Sequence, residues 1–367
     1  MGTPVSSQKP NIYNRHCSHL LIVALYVDDI ALFGSTRALI DKAKHELGCA
    51  FKLTDLGPLT FFLGMHVLRS KSDGLLYLHQ SRYSSELHSF GFDSIKPSPT
   101  PQAVKIRHQL YESPPTSPPH PHDTTSVLSL VRPLIGKFRY LVSCTQLDLC
   151  FSINYLSRFM HNPTLTHWHS LKRCIRYLQG TKKFCITYQR SSTQIPSLCL
   201  TRWSDSDWGG GGGGGEMATR KSTTGCVFVL AGGTVSWFSK KQTSVALSSA
   251  EAEFVALALS AKEGIWLQAV IKELLPEYNI PIKMLCDNMS CIHLASNPKH
   301  SEKTKHVDLK YHYIHELVEQ KRIQLAHTST HLMWADMFTK PLPTDKFVQC
   351  RRHLGLHELP AEFKPGT

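Results

Sequence analysis

Apolar and polar positions change their rhythm three times along this chain. Residues 20–27 form an unbroken apolar run of strand length and residues 30–33 a second, with Asp28 and Asp29 held between them. Ser35 or Thr36 then stands ahead of Leu39, Ile40, Ala43 and Leu47, which is helical spacing behind a capping hydroxyl. Residues 61–68 and 75–79 flank Ser72-Asp73-Gly74, and the arrangement predicts a hairpin. Further on, Trp168, Leu171, Ile175 and Leu178 share one helix face that ends at Gly180, while Lys172, Arg173 and Arg176 take the other.

The last third of the chain predicts strands over 198–204, 225–230 and 234–238. A long helix capped by Ser248 with Glu251 follows and ends before Pro276. A strand over 282–285, helices over 290–295 and 309–319, a strand over 324–327 and a short helix over 333–339 complete the order βββαβααβα. That order specifies an α/β domain.

Two low-complexity stretches interrupt these patterns. Eight prolines lie between Lys96 and Thr125, a density that suits an exposed, extended linker, and seven consecutive glycines occupy 209–215. The 367 residues carry a formal charge of +13, which points to a polyanionic partner. No uninterrupted apolar run reaches the roughly 18 residues of a membrane span, and no secretory signal pattern opens the chain. The 11 cysteines are scattered without a Cys-x-x-Cys pair, as in reduced intracellular proteins. The expectation is an intracellular protein of cytoplasm or nucleus, neither secreted nor bound to membrane.

Carboxylates are the candidate chemistry. Asp28-Asp29 on an apolar hairpin is either ordinary turn chemistry or a cation site, and the lack of glycine at so tight a turn argues for the second. Asp205, Glu253, Asp287 and Asp336 lie near strand ends and in helices of the last domain. Each alone reads as a surface acid, but strand ends are where open α/β sheets gather ligands. Oxygen-only ligands favour Mg²⁺ over zinc. The Asp205-x-Asp207 stretch fails as a calcium loop because Gly209 offers no side-chain oxygen, and Cys286, Cys291 and His293 lack a fourth zinc ligand.

Taken together, the motifs resemble the C-terminal part of the Pol polyprotein of copia-type retrotransposons, a reverse transcriptase joined to an RNase H. The similar stretches include Tyr26-Val27-Asp28-Asp29, Asp55-Leu56-Gly57-Pro58-Leu59, Phe61-Phe62-Leu63-Gly64, Ile135-Gly136, and Arg176-Tyr177-Leu178-Gln179-Gly180. They continue with Asp205-Ser206-Asp207-Trp208, Lys221-Ser222-Thr223-Thr224-Gly225, Ser239-Lys240-Lys241-Gln242, Glu251-Ala252-Glu253, Cys286-Asp287-Asn288, and Ala335-Asp336-Met337-Phe338-Thr339-Lys340.

The resemblance implies a multidomain chain of α/β and α+β parts. Residues 1–95 would be a partial reverse transcriptase palm, 96–126 a Pro/Ser-rich linker, 127–190 a helical thumb or connection, and 197–356 an RNase H-like domain with a mixed five-stranded sheet. It implies that Asp205, Glu253, Asp287 and Asp336 hold two Mg²⁺ ions, with Mn²⁺ as a substitute, for cleavage of RNA in RNA–DNA hybrids. His327 would assist product release, and Asp207 and Glu251 are the neighbouring alternatives to the four acids. Asp28 and Asp29 would be metal ligands of the polymerase hairpin. Polymerase activity is expected to be lost, because the third polymerase aspartate and the fingers belong upstream of this stretch. Lys172, Arg173, Arg176, Lys240, Lys241, Lys305 and His306 are the expected nucleic-acid contacts. An RNA–DNA hybrid or other nucleic acid is the expected partner, alongside other retroelement polyprotein products. The rival expectation is an inactive nucleic-acid-binding relic. Gln146-Leu147 where the family tends to have Arg-Pro, Met333 where it tends to have Gln, and the glycine run all fit that second expectation.

Overall fold

The computed structural model describes residues 12–16, 20–86, 95–104, 128–190, 199–208, 219–276, 281–296 and 305–363. The glycine run and residues 105–127 of the proline-rich stretch lie outside the described residues.

The chain opens with β1 (Ile12–His16), β2 (Leu20–Tyr26) and β3 (Asp29–Gly34), a three-stranded antiparallel sheet. Tyr26 pairs with Asp29 across the two-residue turn Val27-Asp28. Val27 takes φ +51°, a region β-branched residues rarely enter, so the missing glycine is met by strain at an exposed tip. Helix α1 (Arg37–Ala50) follows, with the Thr36 hydroxyl accepting the Leu39 N–H as the capping pattern predicted.

Next come β4 (Phe61–Phe62), β5 (Met65–Ser70), β6 (Leu75–His79) and α2 (Ser81–Glu86), then helices α3 (Val131–Cys144), α4 (Cys150–Leu156) and α5 (Leu165–Thr181). Strand β7 (Phe184–Gln189) pairs with β6, and β13 (Leu356–Glu358) pairs with β7. The resulting antiparallel sheet, in the order β13-β7-β6-β5-β4, therefore spans three of the four expected domains.

Residues 95–104 depart from the expected exposed linker. Ser98, Thr100 and Gln102 are buried against α5. Arg176 Nε donates to the Lys96 carbonyl at 2.8 Å, and Arg173 donates to the Thr100 carbonyl and hydroxyl at 3.1 and 2.9 Å. The Ser98 N–H reaches the Arg176 carbonyl at 3.2 Å. Prolines cannot donate to a ladder, but their carbonyls still accept, and the helix supplies the donors. Two of the three helix cations expected on nucleic acid thus hold this strap.

The remaining elements are β8 (Thr201–Asp207), β9 (Thr223–Leu230), β10 (Gly233–Lys241), α6 (Ser249–Leu274), β11 (Ile282–Cys286), α7 (Met289–Ser296), α8 (Lys305–Glu319), β12 (Ile323–His327) and α9 (Thr344–His353). A 3₁₀ segment, Trp334–Phe338, replaces the short helix predicted before α9. The sheet order is β10-β9-β8-β11-β12, with β9 antiparallel to both neighbours and β8, β11 and β12 parallel. This is the mixed five-stranded, RNase H-like sheet expected.

Alternation along β9 joins two cores. Cys226 and Phe228 face α6, packing with Phe254, Leu257 and Ala261, while Val227 faces α3–α5 and the 334–338 segment. Helix α6 is long and apolar enough by length and composition to cross a membrane, but half of its apolar stretch is buried inside this fold. Ser248 caps it by accepting the Glu251 N–H at 3.1 Å, and Glu251 accepts the Leu247 N–H at 2.7 Å.

The second sheet carries a pH-sensitive residue. His79 is 4% exposed, contacts the Ser81 hydroxyl through Nδ1 at 2.6 Å and stacks on His66. Burial, with His66 adding to it, pulls its pKa down to about 4. The unfolded chain takes up that proton near pH 6.5, so stability is complete above 6.5 and falls as pH drops toward 4. The loss at the acid end should be on the order of 3 kcal/mol. Thermal melts of wild type and His79→Gln should converge as pH falls from 7 to 4, and a constant gap would refute the assignment.

Candidate functional site

Because β8, β11 and β12 run parallel, their C-terminal ends open on one side of the sheet. The strand order reverses between β8 and β11, where open α/β sheets form a crevice. Asp205 lies near the end of β8, Asp287 directly follows β11, and Glu253 sits in the first turns of α6. Asp336 arrives on the 3₁₀ segment. Asp205, Glu253 and Asp336 are buried and Asp287 is half-buried.

The arrangement is built from below. The Ser206 N–H on β8 donates to Glu253 Oε1 at 3.0 Å, and Glu253 Oε2 is buried with no hydrogen-bond partner. Gln242 Nε2 lies within hydrogen-bond distance of Ser206 Oγ, Thr224 Oγ1 and the Ala252 carbonyl, tying β8, β9 and α6 together. Thr339 donates to Asp205 Oδ2 at 2.5 Å, and Thr330 donates to Asp287 Oδ2 at 3.1 Å. Lys340 Nζ stands 2.7 Å from Asp336 Oδ1 and 3.6 Å from Asp205 Oδ2. Lys346 lies 3.9 Å from Asp336 Oδ2 and donates to the Thr330 and His331 carbonyls.

Gly225 makes this closure possible. It pairs with Asp205 across β8 and β9, and a Cβ there would lie 2.7–2.9 Å from Thr339 Cγ2, the Ala335 carbonyl and Phe338 Cβ. Only a residue without a side chain lets the 334–338 segment lie flat on the strand.

Crowding shows in the protonation equilibria. Burial, then the Asp205 charge, pushes Glu253 well above the usual carboxylate range, and the same two causes raise Asp336 to about 7. Burial and Asp205 also raise Asp287. Burial alone would lower Lys340, but Asp205 and Asp336 hold it above its ordinary value. Acids this crowded need cations, and Lys340 is one. The orphaned Glu253 oxygen and the all-oxygen acid set fit hard divalent cations. Cys286 Sγ also falls within 4.8 Å of ligand atoms of Glu253 and Asp287, a soft donor that Mg²⁺ does not favour.

The neighbouring alternatives have structural tasks. Asp207 Oδ1 accepts the Thr223 N–H and Glu251 caps α6. His327 ends β12 directly beside Cys286 and is exposed. Lys240 and Lys241 end β10 opposite Thr224 and Thr223, at the edge of the sheet. The side chains of Lys305 and His306 lie outside the described residues. Asp28 and Asp29 are exposed at their hairpin tip. Among the described residues they join no cluster of three ligating side chains.

Lys340, Thr339, Thr330 and Gln242 are the site residues that pattern reading assigned no role. Lys340 had one signal, its i+4 spacing from Asp336. The threonines had none, since their partners come from elements far away in sequence.

An RNase H-like sheet following a reverse-transcriptase-type hairpin is the plan of a retroelement polymerase protein. Residues 5–103 match the reverse transcriptase (RNA-dependent DNA polymerase) family. The chain is 34% identical over 354 residues to the retrovirus-related Pol polyprotein from transposon TNT 1-94 of Nicotiana tabacum, covering 95% of this chain and 25% of that one. It is 30% identical to a protein assigned to transposon Ty5-1 of Saccharomyces cerevisiae, covering 64% of this chain and 71% of that one. The N-terminal RNase H domain of a Mycobacterium tuberculosis protein, solved as a maltose-binding-protein fusion, superposes with TM-score 0.28 at 12% identity, covering 42% of this chain and 98% of that one. The chain belongs to the Pol family of copia-type retrotransposons, and it spans about a quarter of the length of the tobacco relative.

Proposed function

We propose that the C-terminal domain is a Mg²⁺-dependent nuclease that cuts RNA in RNA–DNA hybrids. The observation that carries this reading is the convergence of carboxylates from α6, the end of β11 and the 334–338 segment on Asp205 of β8, whose charge helps raise all three, with one Glu253 oxygen buried and unpartnered. Asp205, Glu253, Asp287 and Asp336 would hold two Mg²⁺ ions, which supply an activated water and stabilise the departing 3′-oxygen. The Ser206 N–H orients Glu253, Thr339 orients Asp205, and Thr330 orients Asp287. Lys340 balances Asp205 and Asp336 when fewer cations are present. His327, exposed at the strand end next to Asp287, suits a part in product release. The 2′-hydroxyl tells the RNA strand from the DNA strand. Nothing around Asp28 and Asp29 among the described residues supports nucleotidyl transfer, which needs ligands from more than one strand.

Incubating the purified chain with an end-labelled RNA–DNA hybrid should give Mg²⁺-dependent endonucleolytic products, suppressed by chelator. Hybrid binding without cleavage in either Mg²⁺ or Mn²⁺ would sink the nuclease reading and leave a binding relic.

A further inference from the structure

Helix α9 begins with a cation that its place in the helix does not favour. Lys346 lies in the first turn, where the helix dipole opposes a positive charge. Its side chain is nevertheless only 21% exposed, held by oxygens of one segment. Nζ donates to the Thr330 carbonyl at 3.1 Å and to the His331 carbonyl, and it stands 3.9 Å from Asp336 Oδ2. It also lies 5.1 Å from the centre of the Trp334 ring.

The gripped turn is exposed from Ser329 to Leu332. Its local backbone bonds run from the Leu332 N–H to Ser329 and from the Met333 N–H to Thr330. They shape the turn without tying it to another element, and Lys346 ties it to α9. That helix is firmly based. Near its far end Arg351 Nη1 donates to the Tyr177 hydroxyl at 2.9 Å, and this hydroxyl donates to Asp148. Tyr177 and Asp148 are both buried, and a buried polar chain of this kind is costly to break. His353, from the last turn of α9, stacks on Trp334 with ring centres 4.1 Å apart.

We infer that Lys346 is a positioning residue of the acid site. By gripping the carbonyls of Thr330 and His331 it keeps the Thr330 hydroxyl on Asp287, and Asp336 beside it, in place for a divalent cation. Thr330 Oγ1 donates to Asp287 Oδ2 at 3.1 Å, so the grip reaches Asp287 through one intervening residue. The inference rests on the reading that the four acids hold divalent cations, but not on cleavage. Two roles for such a lysine have opposite signs. If Lys346 only offset the charge of Asp336, its removal would leave the acids more negative and tighten their hold on a divalent ion. If it positions them, its removal loosens that hold.

Titrating the full chain with Mn²⁺ in the absence of nucleic acid, followed by the EPR signal of free Mn²⁺, separates the two. Lys346→Met keeps an aliphatic stem against Trp334 but donates no bond. It should weaken Mn²⁺ binding about tenfold, the lower end of the loss typical of residues that orient metal ligands. Lys346→Arg, which can donate to both carbonyls, should recover most of that loss. Arg352→Gln removes an equal charge from an exposed position on the same helix and should bind Mn²⁺ as wild type does. Thermal melts establish that each variant is folded. In hybrid cleavage, Lys346→Met should need about tenfold more Mg²⁺ for its half-maximal rate. Mn²⁺ binding in Lys346→Met that equals or exceeds wild type overturns the inference, as does a loss that Lys346→Arg fails to recover. A wild-type chain that binds no Mn²⁺ removes the metal reading and the inference with it. Intact Mn²⁺ binding without cleavage removes the nuclease reading alone.

Discussion

Replacing Asp287 by Asn should cut hybrid cleavage by more than about 100-fold while the chain stays folded and still binds hybrid. Loss of a partner that merely orients a metal ligand costs about 10–100-fold, so loss of a ligand's charge should cost more. Asp287 suits this experiment because it is half-buried and its Oδ2 accepts from the Thr330 hydroxyl, a bond that an Asn oxygen accepts equally well. Asp205→Asn should be as damaging to cleavage, but it also strips Lys340 of one counter-charge and therefore shifts the melting temperature. Asp207→Asn should be milder, since its oxygen accepts a backbone N–H and an amide preserves that bond. Rates from single-turnover cleavage with saturating enzyme would rank the three. Equal rates for wild type and Asp287→Asn would remove the catalytic assignment.

Gly225→Val should be the most damaging single change outside the acids. The added carbons would collide with a backbone carbonyl and two side chains of one short segment, so no single rotamer change relieves the clash. Overpacking of this kind costs about 1–3 kcal/mol, and a branched residue belongs at the upper end. The segment that must retreat carries Asp336 and leads into Thr339, so cleavage should fall even at temperatures where the variant is folded. Gly136→Ala is the matched control. Its Cβ meets nothing within 4 Å inside α3, and the change should stabilise by up to about 1 kcal/mol. Denaturant melts of both variants decide the matter: similar destabilisation in the two would contradict the close packing described at Gly225.

The third sheet was legible because its signals are local. Ser248 and Glu251 announce α6, an unbroken apolar run marks β9, and Asp287 stands where a strand stops. Strand β7 carried no such signal. Residues 184–189 follow Lys182 and Lys183 without a turn marker, and their partners lie at 75–78 and 356–358. The strap failed for another reason. Proline density describes what a backbone cannot donate, and it is silent about carbonyls that Arg173 and Arg176 can reach from a helix some seventy residues away. The four acids were readable as candidates by strand position and as a set through the family resemblance. Their supporting residues were not, because Thr339 and Lys340 reach Asp205 only through a close approach permitted by Gly225, a tertiary fact with no periodicity.

The strand order β13-β7-β6-β5-β4 also sets a timetable for synthesis. As the chain leaves the ribosome, the β5–β6 hairpin emerges early, but its neighbour appears only with residues 184–189, and that strand's outer edge stays open until residues 356–358 are made. Unpaired strand edges recruit other strands, and pairings distant in sequence form slowly. The nascent chain therefore carries an exposed β-edge from the emergence of β6 until residues 356–358 are made, the hazard that holdase chaperones relieve. Fragments ending anywhere between β7 and β13 should be harder to keep in solution than the chain that includes both.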